Sequence, residues 1–296
     1  MNPAFAKAEC WIGWSAVALL AAMTALGAIA AWQGSDALLQ VDAALACAFF
    51  PCVLYIMTRA RFVPWRGVAL FAGLWLAFPL FKSIRQFWIT RVFDAELLAI
   101  DRALWGGLSL PEHALRLESF ALSEIVSLGY AQFYFLSLLP VCWFAWKRRT
   151  AEARRFLFGL VAMYVFGFTG YLLVPAGGPF IAFPALFPYP PQGGAITQAL
   201  VGVVAQGVTG MDVFPSLHCG VSLYVFGFFA SGAALRKSRA YFFAALILAA
   251  ICAPLTLATV YLRYHYGIDL LAGAALAAAT LLFLHRPRFG NRSHDP

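Results

Sequence analysis

The sequence predicts an all-α fold, a polytopic membrane helical bundle of about eight transmembrane helices, and three observations predict it. Hydrophobic residues make up 62% of the 296 residues and charged residues only 11%, where a soluble domain carries about 25% charged residues. Apolar stretches lie near residues 11–32, 42–58, 67–88, 127–146, 156–174, 216–234, 240–260 and 264–285, each close to the roughly 20 residues that a spanning helix needs. The basic residues, finally, fall unevenly between the two sets of loops that these stretches define.

The stretch at 11–32 is too long for the core of a cleaved signal peptide, and no small-residue cleavage site with a polar region follows it. It reads as the first span. Eight spans place both termini on one side. That side receives Lys7, Arg59, Arg61, Arg66, Lys147, Arg148, Arg149, Arg154, Arg155, Arg236, Lys237, Arg239, Arg286, Arg288 and Arg292, which is 15 of the 21 Lys and Arg residues. The other side holds Lys82, Arg85, Arg91, Arg102, Arg116 and Arg263. Positive charge is retained on the cytoplasmic face during insertion. Both termini are therefore expected in the cytoplasm, and the long loops at 91–126 and 175–215 outside, as in a bacterial-type inner membrane protein. The same bias accounts for the net charge of +8 without any nucleic-acid partner. Of the six cysteines, Cys47, Cys52, Cys142 and Cys252 fall in apolar spans, Cys10 near a span end and Cys219 beside His218. Their spacing suggests neither a disulfide framework nor a metal site.

Ionisable residues at the edge of the hydrocarbon are costly to place, so they carry information. His285 and His294 belong to the basic tail, and His113 sits in an outer loop among Glu112, Arg116 and Glu118. His218 and His265 differ, because each opens an apolar span on the outer side. His265 and Asp269 are four residues apart and share a helix face. A carboxylate on one imidazole nitrogen fixes the tautomer and leaves the other as a directed lone pair. A structural pair closing a helix end is the competing reading. Arg263, two residues earlier, offers a planar fork of donors suited to phosphate oxygens. In Pro215-Ser216-Leu217-His218 the proline and serine suit a helix start, where N–H groups and the dipole favour an anion. Ser216 is then either a simple N-cap or a phosphate contact. Gly177 and Gly178 end a span and either form a turn or let backbone approach a ligand. Lys82 and Arg85, three apart, either snorkel to the interface or supply positive charge to the site.

Pro215-Ser216-x-His218 followed by His265-x-x-x-Asp269 resembles two motifs of the phosphatidic-acid phosphatase type 2 superfamily. Tyr171 to Pro179, Arg263-Tyr-His-Tyr and Asp101-Arg-Ala-Leu-Trp-Gly106 look more like one branch of it, the inositol phosphorylceramide synthases of the aureobasidin-resistance type. The resemblance covers roughly 67–285. It implies a six-helix phosphatase-like catalytic core there, two additional N-terminal helices over 1–66, and a cytoplasmic basic tail at 286–296. It further implies that His265 is a nucleophile forming a phosphohistidine, that Asp269 orients it, and that His218 protonates the leaving oxygen. Ser216, Arg263, Lys82, Arg85, Gly177 and Gly178 would hold the substrate, with no metal and no cofactor. Two departures stand out. The superfamily's usual first motif, with Lys and Arg-Pro, is not found before Pro179, and Thr259 stands where an Arg is usual. Arg263, Lys82 and Arg85 are the candidates to replace those cations.

The expected activity is metal-independent phosphoryl transfer on a phosphorylated membrane lipid at the outer face. Water as acceptor makes a phosphatase, to which the reading leans, and a lipid hydroxyl such as that of ceramide makes a transferase. A transporter with a His/Asp proton relay is the competing class, but it predicts charges at mid-span rather than at one face. The loop at 91–126 reads as a short amphipathic helix at the interface, either packing across the top of the bundle or forming a lid or lateral entry for lipid.

Overall fold

The computed structural model describes residues 3–34, 37–59, 63–147, 150–231 and 238–285. The expected tail at 286–296 with His294, the basic residues Arg61, Arg148, Arg149, Arg236 and Lys237, and the side chains of Arg59 and Lys147 lie outside the described residues. Every regular element among the described residues is helical. In chain order these are α1 (Pro3–Trp32), α2 (Ala37–Arg59), α3 (Val63–Ala77), which runs through a 3-10 turn at Phe78–Leu80 into α4 (Phe81–Trp88), α5 (Asp94–Leu104) and α6 (Leu110–Leu115). Then come α7 (Phe120–Lys147), α8 (Thr150–Leu173), α9 (Pro179–Ala182), α10 (Ala195–Gly207), α11 (Leu217–Ala230), α12 (Arg239–Tyr261) and α13 (Gly267–Leu284).

Among the described residues, seven stretches are long and apolar enough to cross a membrane: Pro3–Trp32, Leu39–Thr58, Pro64–Arg85, Phe120–Trp146, Ala151–Leu173, Arg239–Tyr261 and Gly267–Leu284. They coincide with seven of the expected spans. The eighth, expected over 216–234, is α11, whose 14 residues extend about 21 Å at the usual rise, short of a hydrocarbon core of about 30 Å. Large apolar side chains such as Trp32, Tyr55, Leu139, Leu257 and Leu282 remain exposed. Apolar surface on that scale fits a protein solvated by lipid rather than water.

Two compact units divide the chain. Of the described residues, those within 1–80, 141–165 and 278–285 make the first, and those within 81–140 and 166–277 the second. In the first, α1, α2 and α3 pack on one another. Phe71 lies edge-on to Tyr164, with ring centroids 5.6 Å apart, and Trp75 Nε1 donates to the Tyr164 hydroxyl at 2.7 Å. Pairing that indole inside the unit removes the penalty of an unmet donor.

The second unit carries the residues singled out above. The expected helix in the 91–126 loop is present as α5. Its apolar face, Leu97 and Leu98, is buried with Ala176, Val213 and Tyr266, so it packs onto the loops below it. The short α6 starts with a capping box in which the Ser109 side chain takes the Glu112 amide and Glu112 reaches back to the Ser109 N–H. Arg102 of α5 grips the same Glu112 through two bonds of 2.9 and 2.6 Å. That guanidinium is the main reason the Glu112 carboxyl is held down at about 2, so the link between the two helices stays ionised through the acidic range.

α11 packs along α12 and against α13. At Gly273 of α13 an added Cβ would run into the Ser216 carbonyl and the Gly220 amide of α11, both backbone groups that cannot swing away. Close backbone approach of this kind is how membrane helices associate without a hydrophobic driving force. Gly273→Leu is expected to destabilise the protein by about 1–3 kcal/mol through overpacking, read as a lower unfolding midpoint in detergent. Gly202→Ala, where nothing lies within 4 Å, should leave the midpoint unchanged or slightly raised.

Candidate active site

His218 stands in the first turn of α11, and His265 in the loop between α12 and α13. The fold brings their rings to 5.5 Å between centroids, with His218 Nδ1 and His265 Nε2 3.3 Å apart. On its far side His218 Nε2 meets the Tyr130 hydroxyl at 3.0 Å, and Phe133 packs on the ring at 4.4 Å. His265 Nδ1 lies 3.5 Å from Asp269 Oδ2. That is ion-pair distance without hydrogen-bond alignment, a spacing that catalytic pairs often show before a substrate draws them together. Asp269 is fully buried. Its Oδ2 accepts the Tyr266 amide at 2.8 Å, and its Oδ1 has no partner among the described residues.

One set of tautomers satisfies this row. Tyr130 donates its O–H to His218 Nε2, His218 Nδ1–H donates to His265 Nε2, and His265 Nδ1–H faces the Asp269 carboxylate. In that state both histidines are neutral, and the Nε2 lone pair of His265 points away from the carboxylate and toward the other imidazole. Orientation by an acid on the opposite ring nitrogen is the arrangement that prepares imidazole for nucleophilic or general-base work.

Ser216 is fully buried and caps α11, accepting the Cys219 amide at 3.3 Å, while its own amide donates to the Asp269 carbonyl at 3.0 Å. Ser216, His218, His265 and Asp269 are thus brought together. The other expected site residues already hold protein partners. Arg263 is only 1% exposed; it pairs with Glu118 at 2.6 Å and donates to the Tyr189 carbonyl at 2.8 Å. Its φ of 63° is uncommon for a residue with a side chain. Besides those side-chain bonds, its carbonyl accepts the Phe180 amide at 3.1 Å. Lys82 donates to the Gln206 carbonyl at the end of α10, and the Arg85 guanidinium lies against Gly210.

The amides of Gly177 and Gly178 do converge on a carboxylate, but it is the protein's own. Asp94 Oδ2 accepts Gly177 N and Oδ1 accepts Gly178 N, both at 2.9 Å. Oδ1 also accepts the Tyr266 hydroxyl at 2.9 Å; burial pushes that phenol above its usual range and keeps it a donor. Gly178 has φ of 87°, and an added Cβ there would lie 2.6 Å from the Tyr264 carbonyl, so two requirements fix a glycine. Seven residues along the same face of α5, Asp101 accepts the Ile268 amide at 2.8 Å, the Leu110 amide at 3.0 Å and the Trp105 indole at 3.1 Å. The two carboxylates therefore tie down the residues that follow His265, Tyr266 and Ile268. Sequence reasoning missed Asp94, Asp101 as a brace, Tyr130 and Glu118 as site-building residues. The i, i+7 spacing of two aspartates on an otherwise apolar face was the available signal.

Residues 95–283, more than half of the chain, match the sequence pattern of the PAP2 superfamily. The chain belongs to the PAP2 superfamily. Members of this superfamily are phosphatases or phosphotransferases, and the match contains all four clustered residues. No curated protein and no solved structure shows significant similarity to the chain. Among the described residues of this PAP2 member, no group of three or more His, Cys, Asp or Glu side chains is placed to hold a metal ion.

Removing the Asp94 carboxylate strands buried donors at Gly177, Gly178 and Tyr266, each worth about 1–3 kcal/mol when unmet. Asp94→Ala is expected to lower the unfolding midpoint and, through the displaced His265 loop, to reduce phosphoryl transfer. Asp94→Asn, which keeps an acceptor, should fall between it and the parent in both measurements.

Proposed function

We propose that this chain is a lipid-phosphate phosphatase or phosphotransferase working through a phosphohistidine on His265. The contact of His218 and His265 at 3.3 Å, with Asp269 behind His265, carries the reading. In the first step the His265 Nε2 lone pair attacks phosphorus. The bond to the ester oxygen breaks, its electron pair stays on that oxygen, and His218, which becomes imidazolium by taking a proton from the bound phosphate or from solvent, delivers that proton to it. Phosphorus on Nε2 takes the place of the direct contact between the two rings. In the second step His218 removes a proton from the acceptor hydroxyl, whose oxygen attacks the phosphohistidine and frees His265. Asp269 holds the ring and offsets the positive charge that it gains. Proton transfer by such a group is worth about 10²–10⁴-fold in rate.

The phosphate oxygens lie at the start of α11, where Ser216 and the helix N-terminus favour an anion. Arg263 adds positive charge from its fixed place against Glu118. Lys82 contacts phosphate only by leaving Gln206, and Arg85 by turning from Gly210. The site faces the outer side of a bacterial-type inner membrane with both termini cytoplasmic, an orientation that requires the chain to cross once more in the segment that begins with α11. Water as acceptor releases inorganic phosphate. A lipid hydroxyl such as that of ceramide gives the transfer that the inositol-phosphorylceramide-synthase-like motifs suggest. The Pro215-to-Asp269 spacing supports both, and the polar residues gathered at one end of the spans favour either over a transporter.

Purified protein incubated with labelled phosphatidate, and separately with phosphatidylinositol and ceramide, should release or transfer phosphate in the presence of a metal chelator. His265→Ala should lose about 10³-fold or more, the scale for removing a nucleophile that acts with its base as a unit. His218→Ala should lose about 10²-fold or more. Equal turnover by parent and His265→Ala contradicts the nucleophile assignment.

A further inference from the structure

The first unit contains a cavity of about 250 Å³ between α1, the end of α2, the start of α3 and the start of α8. Trp14, Met57, Leu70, Leu157 and Phe158 give it apolar walls, and Glu9, Arg66 and Arg154 give it charge. Arg154 Nε donates to Glu9 at 3.0 Å, and a second guanidinium nitrogen pairs with the other carboxylate oxygen. The lining thus carries one carboxylate and two guanidinium groups. The walls from α1, α2 and α3 all precede residue 95, where the superfamily match begins, so the catalytic chemistry of the family does not account for them. Charge bias places Arg66 and Arg154 on the cytoplasmic side, next in sequence to Arg59, Arg61, Arg148, Arg149 and Arg155.

We propose that this cavity binds the headgroup of an anionic phospholipid of the cytoplasmic leaflet. A phosphate ester matches the planar donor fork of arginine. Basic pockets between transmembrane helices on the cytoplasmic side are suited to anionic headgroups. The volume is below the roughly 300–1,000 Å³ typical of sites for whole drug-sized ligands, so it holds a headgroup and leaves the acyl chains in the bilayer. The apolar walls favour a lipid over a free phosphate ion, which gains nothing from Trp14 or Phe158. The site is independent of the histidine chemistry and stands whether or not that reading holds.

The test uses the full chain, purified in detergent, stripped of lipid and titrated with phosphatidylglycerol, with phosphatidylcholine of the same chains, and with inorganic phosphate. Native mass spectrometry should show phosphatidylglycerol retained about fivefold or more tightly than phosphatidylcholine, as expected of a basic headgroup pocket. Arg66→Gln, which removes charge, and Ala6→Phe, which fills the cavity without changing charge, should each remove that preference. If Arg66→Gln fails to fold, Ala6→Phe alone decides. Equal retention of the two lipids by the parent, or an unchanged preference in folded variants, overturns the proposal. Stabilisation by inorganic phosphate equal to that by phosphatidylglycerol assigns a free-anion site and overturns the lipid reading.

Discussion

Non-helical backbone in a membrane protein has to find its hydrogen bonds inside the protein, since hydrocarbon offers none. The site depends on how this chain meets that constraint. His265 sits on a loop, and a second loop at 174–178 packs beneath α5. Asp94 and Asp101, about 10 Å apart along α5 by helical rise, accept the amides of Gly177, Gly178, Ile268 and Leu110. Without those carboxylates the amides, buried or partly buried, would lose their partners. A brace of this kind fixes where His265 lies relative to His218 before any substrate arrives, which is the preorganisation that electrostatic catalysis requires.

The same economy appears across the second unit. Glu118 joins Arg263 to the Gln192 amide. Glu124 of α7 accepts the Thr197 amide at 2.8 Å and its hydroxyl at 2.6 Å, capping α10 from a neighbouring helix. Tyr261 takes the Ser119 amide at 3.1 Å and the Ser123 hydroxyl at 3.0 Å. Acidic side chains from the 94–124 segment repeatedly serve as caps for loops and helix starts elsewhere. What looks like a charged outer loop is a set of tie points, and the histidine pair lies among the segments it ties.

Much of this was legible in the residues, and the parts that were not share a cause. Apolar runs located seven long helices because hydropathy reports directly on the solvent. The i, i+4 spacing of His265 and Asp269 and the Pro215-Ser216 helix start pointed to residues that the fold brings together, since both are local features. Interactions over long sequence separation were hidden. Asp94 alternates with apolar residues as a solvated face does, yet its partners are 83, 84 and 172 residues away. Tyr130 reads as one more aromatic in a span. For Gly177 and Gly178 the sequence offers either a turn or a backbone approach to a ligand, and it gives no sign that Asp94 takes both amides. The length of α11 also escaped, because the run at 216–234 is apolar beyond the point where its described helix ends at Ala230.

The central claim is that His265 carries the phosphoryl group. The most direct measurement is rapid acid-free quenching of the protein with a lipid labelled in its phosphate, followed by denaturation and mapping of the labelled peptide. The account predicts an acid-labile, base-stable phosphate on His265 Nε2 in the parent protein that is absent in His265→Ala. Turnover of the same lipid with no phosphate ever found on His265, or with the label on another residue, would contradict it.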